Sequence, residues 1–87
     1  MYYVYVLESQ RDNKLYIGST PDLKKRFDKH RRGKVFSTKG RLPLKLIFYE
    51  CYLEKEDALR REKYFKTNSG KRALKLILKS YYRGRLP

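Results

Sequence analysis

The sequence predicts an α+β domain, a three-stranded antiparallel sheet with about three helices packed against it in the order β-β-α-β-α-α. Three observations predict it. Two short runs rich in β-branched and aromatic residues lie close together near the N-terminus. A longer run of the same character, Leu44 to Tyr52, follows a helix-like segment. Two further stretches repeat apolar residues at helical spacing. Runs of strands with helices set apart from them are the pattern of an α+β layer architecture.

Each element has its own signals. Residues 2–8 alternate two faces, Tyr3, Tyr5 and Leu7 on one and Tyr2, Val4 and Val6 on the other, as a strand requires. Ser9 to Lys14 is polar, and Leu15 to Gly18 reads as a second strand joined to the first in a hairpin. A loop centred near Gln10 and Arg11 would set Tyr5 directly opposite Tyr16. A helix is then expected with Thr20 as N-cap, Pro21 in the first position and Asp22 in the first turn. Leu23, Arg26, Phe27 and His30 follow at i, i+3, i+4 and i+7, one stripe of that helix.

Gly33 can end the helix, and residues 33–43 read as a basic loop. Leu44 to Tyr52 is expected to be the longest and central strand. Residues 53 or 54 to about 67 form a helix with Ala58, Leu59 and Phe65 on its apolar side and Glu62 beside them. Asn68, Ser69 and Gly70 supply a capped break before a last helix patterned by Leu74, Ile77, Leu78 and Tyr81. A single domain over residues 1–83 is expected, with 84–87 as a frayed tail.

Composition narrows the function. At 87 residues the chain has room for one thin core, because a domain this small buries roughly 60 to 65% of the surface exposed when unfolded. Its 23 Lys and Arg against 9 Asp and Glu give a formal net charge of +14, well beyond what solubility needs, and point to a polyanion. Nine Tyr and four Phe set it apart from a disordered basic tail. The single cysteine, Cys51, rules out an internal disulfide; it is expected to be a buried thiol in a reducing cytoplasm. No apolar run is long enough to span a membrane.

Zinc-type Cys and His spacing, phosphate-binding Gly-rich loops and a Ser nucleophile motif are all missing. What remains is a set of polar residues on otherwise apolar faces: Tyr5, Tyr16, Arg26, His30 and Glu62. Their order and spacing, with Tyr3-Val4-Tyr5, Tyr16-Ile17-Gly18, the helix from Ser19 to Phe27, His30, and Ala58 to Lys63, resemble the GIY-YIG nuclease superfamily over nearly the whole chain. The nuclease domain of the bacterial excision-repair incision subunit and structure-specific DNA endonucleases carry the same pattern. The first triplet departs from it, with Tyr3 in place of glycine.

The resemblance implies a divalent-metal-dependent DNA endonuclease that hydrolyses phosphodiester bonds, structure-directed and repair-related. It implies one Mg²⁺ or Mn²⁺ on Glu62, Arg26 on the scissile phosphate, and Tyr5, assisted by Tyr16, activating the attacking water. His30 would orient a tyrosine or phosphate, or act as an acid. First-principles chemistry agrees, since such a reaction needs a nucleophile at neutral pH and charge stabilisation on the phosphoryl oxygens. A tyrosine base, with an ordinary pKa of about 10, needs a cationic setting that favours phenolate, which the net charge is expected to provide.

Lys14, Lys25 and Arg31 are candidates for further phosphate contacts, and Gly18 for close approach of the DNA backbone, although a strand-end glycine explains Gly18 equally well. Partners are therefore expected to be DNA and, for a subunit active only in a complex, another protein; no membrane and no small-molecule cofactor is expected. The alternatives stay open from the residues alone. Tyr5 and Tyr16 also suit a hairpin core, Arg26 and His30 a solvated helix face, and Glu62 a structural ion pair. A non-catalytic nucleic-acid-binding domain is the competing function.

Overall fold

In the computed structural model, which describes residues 1–84, the N-terminal strand β1 (Tyr2–Ser9) is the middle of the sheet, flanked by β2 (Leu15–Thr20) and β3 (Leu44–Tyr52) in antiparallel order β2-β1-β3. The expected fold class and element order hold. β3 is the longest strand but lies at an edge, so the expectation that it is central fails. The reason is visible in β1: Val4 to Ser9 are buried without interruption, because helices cover both faces of that strand. A strand shielded on both sides reads as a continuous apolar run rather than a half-buried alternation.

One face of β1 offers Val4 and Val6, which with Ile17 pack against Ala58, Phe65 and Leu74 of α2 (Lys55–Phe65) and α3 (Asn68–Ile77). The other offers Tyr5 and Leu7, which with Leu44 pack against Leu23 and Phe27 of α1 (Leu23–Arg31). Each fully buried aliphatic or aromatic side chain of this kind contributes roughly 1.5–3 kcal/mol relative to exposure. Arg61 grips Glu50 of β3 through Nε and Nη2 at 2.8 and 3.1 Å, and its guanidinium lies 4.4 Å from the Phe65 ring centroid, which orients α2 on the sheet.

The hairpin register differs from expectation. Tyr5 pairs with Gly18 and Leu7 with Tyr16, so the two tyrosines are diagonal rather than opposite. The loop is longer than expected: the Ser9 amide donates to the Lys14 carbonyl and Asn13 adopts φ 61°. The pairing moves by two residues, which preserves every side chain's face.

Helix boundaries also shift. Asp22, not Thr20, caps α1, its carboxylate accepting from the Lys25 amide at 3.1 Å, while Thr20 ends β2 and its hydroxyl accepts from the Asp22 amide. Gly33, with φ 73°, follows the helix end. Between α1 and β3 the loop is not irregular throughout but holds a 3-10 turn at Lys39–Arg41.

Thr67 caps α3, so Asn68, Ser69 and Gly70 form its first turn rather than a break. Gly70 is a contact point: a Cβ there would stand 1.9 Å from the Tyr64 carbonyl oxygen. The last helix bends at Leu78 into α3 and a short α4 (Lys79–Arg83), where one continuous helix was expected. The bend lets the Tyr81 hydroxyl donate to buried Glu8 at 2.6 Å. α4 ends at Arg83 with Gly84 as its C-cap, and of the tail expected to fray, residues 85–87 lie outside the described residues.

Three residues expected in the core are exposed. Leu59 and Ile77 face solvent, and Cys51 sits on the open side of the edge strand rather than buried. Among the described residues no helix is long and apolar enough to cross a membrane.

Candidate active site

The Tyr5 hydroxyl is the convergence point of the site. β1 carries Tyr5 to the α1 face, where it is 1% exposed, and α1 brings Arg26 and His30 down onto it. His30 Nε2 lies 3.0 Å from the Tyr5 hydroxyl, and Arg26 Nε donates to the same oxygen at 3.4 Å. Tyr16 packs beside both, its ring centroid 6.3 Å from that of Tyr5 and 5.0 Å from that of His30. The i, i+4 spacing of Arg26 and His30 is what allows one helix to present both to one oxygen.

His30 is fully buried, and its Nδ1 lies 2.8 Å from the Thr38 hydroxyl. Burial, with a further push from the Arg26 charge, lowers its pKa to about 4, so it is a neutral imidazole at physiological pH. A neutral imidazole donates at one nitrogen and accepts at the other. Because the Tyr5 oxygen accepts from Arg26, we assign its proton to His30 Nε2 and the His30 Nδ1–H to Thr38. The chain Arg26 to Tyr5 to His30 to Thr38 then gives every group a partner.

Burial raises the Tyr5 pKa above its ordinary value, and the hydrogen bond from Arg26 only partly offsets this. The expectation that the cationic chain favours a phenolate is therefore not met at Tyr5. Net charge acts through solvent, whereas desolvation acts on the hydroxyl itself. Arg26 is held more firmly charged, first by its hydrogen bond to Tyr5.

Glu62 stands apart from this cluster. The register that pairs Tyr5 with Gly18 pairs Val4 with Ser19, so Ser19 points to the α2 face. There its hydroxyl donates to Glu62 Oε1 at 2.5 Å, while Lys66 Nζ reaches Oε2 at 2.8 Å. Burial opposes ionisation of Glu62, but the bonds from Lys66 and Ser19 outweigh it and hold the carboxyl below its ordinary pKa. Its charge reaches Tyr5 only as a minor influence. Four of the five expected site residues are thus in one network, and the fifth is across strand β2.

A magnesium-like ion is commonly held by one or two carboxylates, with water and substrate phosphate completing the shell. Glu62 fits that donor set: it is ionised, mostly shielded, and braced by Ser19. Among the described residues no three His, Cys, Asp or Glu side chains gather as an all-protein cage. Lys66 occupies the carboxylate oxygen that a cation would take.

The outlying candidates are mixed. Lys14 is exposed in the hairpin loop and Lys25 is exposed beside Arg26. Arg31 is exposed but its guanidinium is engaged by Asp28 at 2.6 Å, in a helix-surface pair. Gly18 is constrained by its own protein: a Cβ there would lie 2.6 Å from the Tyr5 hydroxyl and 3.2 Å from the Tyr16 ring. Sequence reasoning missed Thr38, Ser19 and Lys66. Lys66 alone left a signal, its i+4 spacing from Glu62 on a helical pattern.

The chain as a whole is similar to known proteins. The GIY-YIG catalytic domain family matches residues 1–75. A UPF0213 protein of Streptococcus agalactiae is 41% identical over 76 residues, covering 86% of this chain and 85% of that protein. A UPF0213 protein of Bacillus licheniformis is 45% identical over 71 residues, covering 80% and 72%. The solution NMR structure of a UPF0213 protein from Bacillus halodurans superposes with a TM-score of 0.56 at 36% identity, covering 88% of this chain and 85% of that one. The chain belongs to the GIY-YIG catalytic domain family, a family of nucleases.

Proposed function

We propose that this chain is a divalent-metal-dependent DNA endonuclease that hydrolyses phosphodiester bonds, acting in the cytoplasm on structured, repair-type substrates. The observation that carries the reading is the buried Tyr5 hydroxyl, held between the Arg26 guanidinium and the neutral His30 imidazole. That geometry suits a proton relay. As water attacks phosphorus, its proton passes to the Tyr5 oxygen while the Tyr5 proton passes to His30 Nε2, and the negative charge building on the phosphate offsets the burial and the Arg26 charge that otherwise disfavour the imidazolium. Arg26 fixes the scissile phosphate and balances its charge. Lys14 and Lys25 add backbone contacts outside the reacting centre, and Gly18 keeps the Tyr5 hydroxyl clear. Tyr16 walls the cluster against bulk water.

Glu62, held by Ser19, is the residue that would carry Mg²⁺ or Mn²⁺. When bound, the ion supplies Lewis acidity to the phosphoryl oxygens. The leaving oxygen takes its proton from solvent.

One observation favours a second reading, that of a domain that binds DNA without cutting it, alone or as the subunit of a larger assembly. Both Glu62 oxygens are already engaged, by Ser19 and Lys66. Incubation of plasmid, flapped and branched DNA with Mg²⁺ or Mn²⁺ separates the two. The endonuclease reading expects cleavage by the wild type and loss in Glu62→Gln and Arg26→Ala. Equal cleavage in all three, or none under any condition, would sink it.

A further inference from the structure

We propose that Tyr49 and Tyr3 form a stacking subsite for an unpaired nucleobase of the strand whose phosphate lies at Arg26. The inference rests on the nucleic-acid reading above and adds the substrate's local structure to it.

The register carries the position. Tyr49 of β3 pairs directly with Tyr5 of β1, so both project from the same sheet face, with Tyr3 diagonal to Tyr49 on that face. The Tyr3 and Tyr49 rings lie 6.1 Å apart between centroids at an interplanar angle of 60°, and Tyr49 is 53% exposed. Together they line a groove of about 480 Å³ whose other wall is formed by Pro21, Lys24, Phe27 and Leu46. Phe27 of the groove neighbours Arg26 on α1, and Tyr49 is the direct cross-strand neighbour of Tyr5, whose hydroxyl Arg26 reaches, so the groove and Arg26 share this region of the sheet face. Tyr49 keeps about half of its surface open to water beside this groove, and stacking on a flat apolar ligand would cover it.

Charge selects the ligand. Lys24 lines the groove and Lys25 follows it, while the one acidic lining residue, Asp22, has its carboxylate turned to the Lys25 amide. The chain's +14 charge draws a polyanion to this surface. Bases in a duplex are stacked and paired inside the helix and cannot enter such a groove. An unpaired base can, and stacks on an aromatic ring irrespective of its identity.

The test is binding without cleavage. Fluorescence anisotropy in EDTA would compare an oligothymidylate, an abasic strand of equal length and a fully paired duplex, at fixed salt. Base-aromatic stacking is worth about 1–3 kcal/mol per base. The wild type is therefore expected to prefer the oligothymidylate to the abasic strand by about fivefold or more. Tyr49→Ala should erase that preference and leave the salt dependence unchanged, since the phosphate contacts remain, while Tyr49→Phe should retain it.

Equal affinity for thymidylate and abasic strands would overturn the proposal. So would a Tyr49→Ala effect that is the same on all three ligands. A change in oligomeric state on gel filtration with no base-dependent effect would overturn it in favour of a second copy pairing on the β3 edge. Preference for bases in a protein that never cleaves would leave the subsite standing and sink the endonuclease reading. Absence of DNA binding would sink both.

Discussion

Gly18 stands directly across the sheet from Tyr5, and a Cβ at Gly18 would lie 2.6 Å from the Tyr5 hydroxyl oxygen and 2.7 Å from the ring carbon that bears it. The bare backbone at Gly18 is what permits the Tyr5 hydroxyl to sit between Arg26 and His30. Gly18→Ala is expected to push Tyr5 off His30. The overpacking should cost about 1–3 kcal/mol in chemical denaturation. Cleavage turnover should fall further than DNA affinity, because the Arg26 charge and the surface lysines remain. Wild-type turnover in a folded Gly18→Ala protein would show that the Tyr5–His30 contact does not serve the reaction.

This pair also marks how far the site was legible beforehand. Period-two alternation put Tyr5 and Tyr16 on one sheet face, and helical spacing put Arg26 and His30 on one helix face. Those patterns are local, and they held. Register depends on loop conformation, and the φ of Asn13 has no unambiguous sequence signature, so the Tyr5–Gly18 pairing was missed. Ser19 and Glu62 are 43 residues apart, and Thr38 meets His30 from a loop without periodicity. Tertiary contacts of that kind are set by packing of whole layers. The edge position of β3 was missed for a related reason: local apolarity does not report strand order, and of the apolar run Leu44–Tyr52 only Leu44 is buried.

His30 makes stability depend on pH in a stated direction. Its pKa falls from 6.5 to about 4 on folding, so between those values the unfolded chain binds the proton more tightly than the folded one. Stability contributed by the neutral imidazole is fully present above pH 6.5 and is lost as pH falls from there toward 4. The loss amounts to about 3 kcal/mol at most, from a shift of this size. Denaturant titrations at pH 7 and pH 4.5 on the wild type and His30→Gln should show a steeper loss in the wild type. Parallel losses would mean that other groups govern the acid limb.

Thr38 is expected to matter through His30 alone. Thr38→Val keeps the shape but leaves the His30 Nδ1–H without its acceptor in a buried setting, a change that costs about 1–3 kcal/mol. It should also release the imidazole from a fixed tautomer. Imidazole ¹⁵N shifts should then report a mixture of tautomers where the wild type shows one, and Thr38→Ser should restore the wild-type signal. An unchanged spectrum in Thr38→Val would remove Thr38 from the network.

Lys66 sets the terms on which Glu62 meets a metal ion. Its ammonium is 2.8 Å from Oε2, so a cation that takes this carboxylate must displace it and also approach a positive charge. An i, i+4 helix pair whose lysine is exposed is worth only about 0.3–0.5 kcal/mol, and the nearby like charge adds to the barrier against a divalent ion. Lys66→Met is therefore expected to bind Mn²⁺ about three- to tenfold more tightly by calorimetry. Lys63→Met, which removes one positive charge from the same helix without freeing Glu62, should gain less. Glu62→Gln should lose the site in either background. Equal gains from Lys63→Met and Lys66→Met would reduce the effect to general electrostatics. No gain from Lys66→Met would mean that the ion and the ammonium occupy Glu62 together, one on each oxygen, with Lys66 a brace for the metal ligand rather than its competitor.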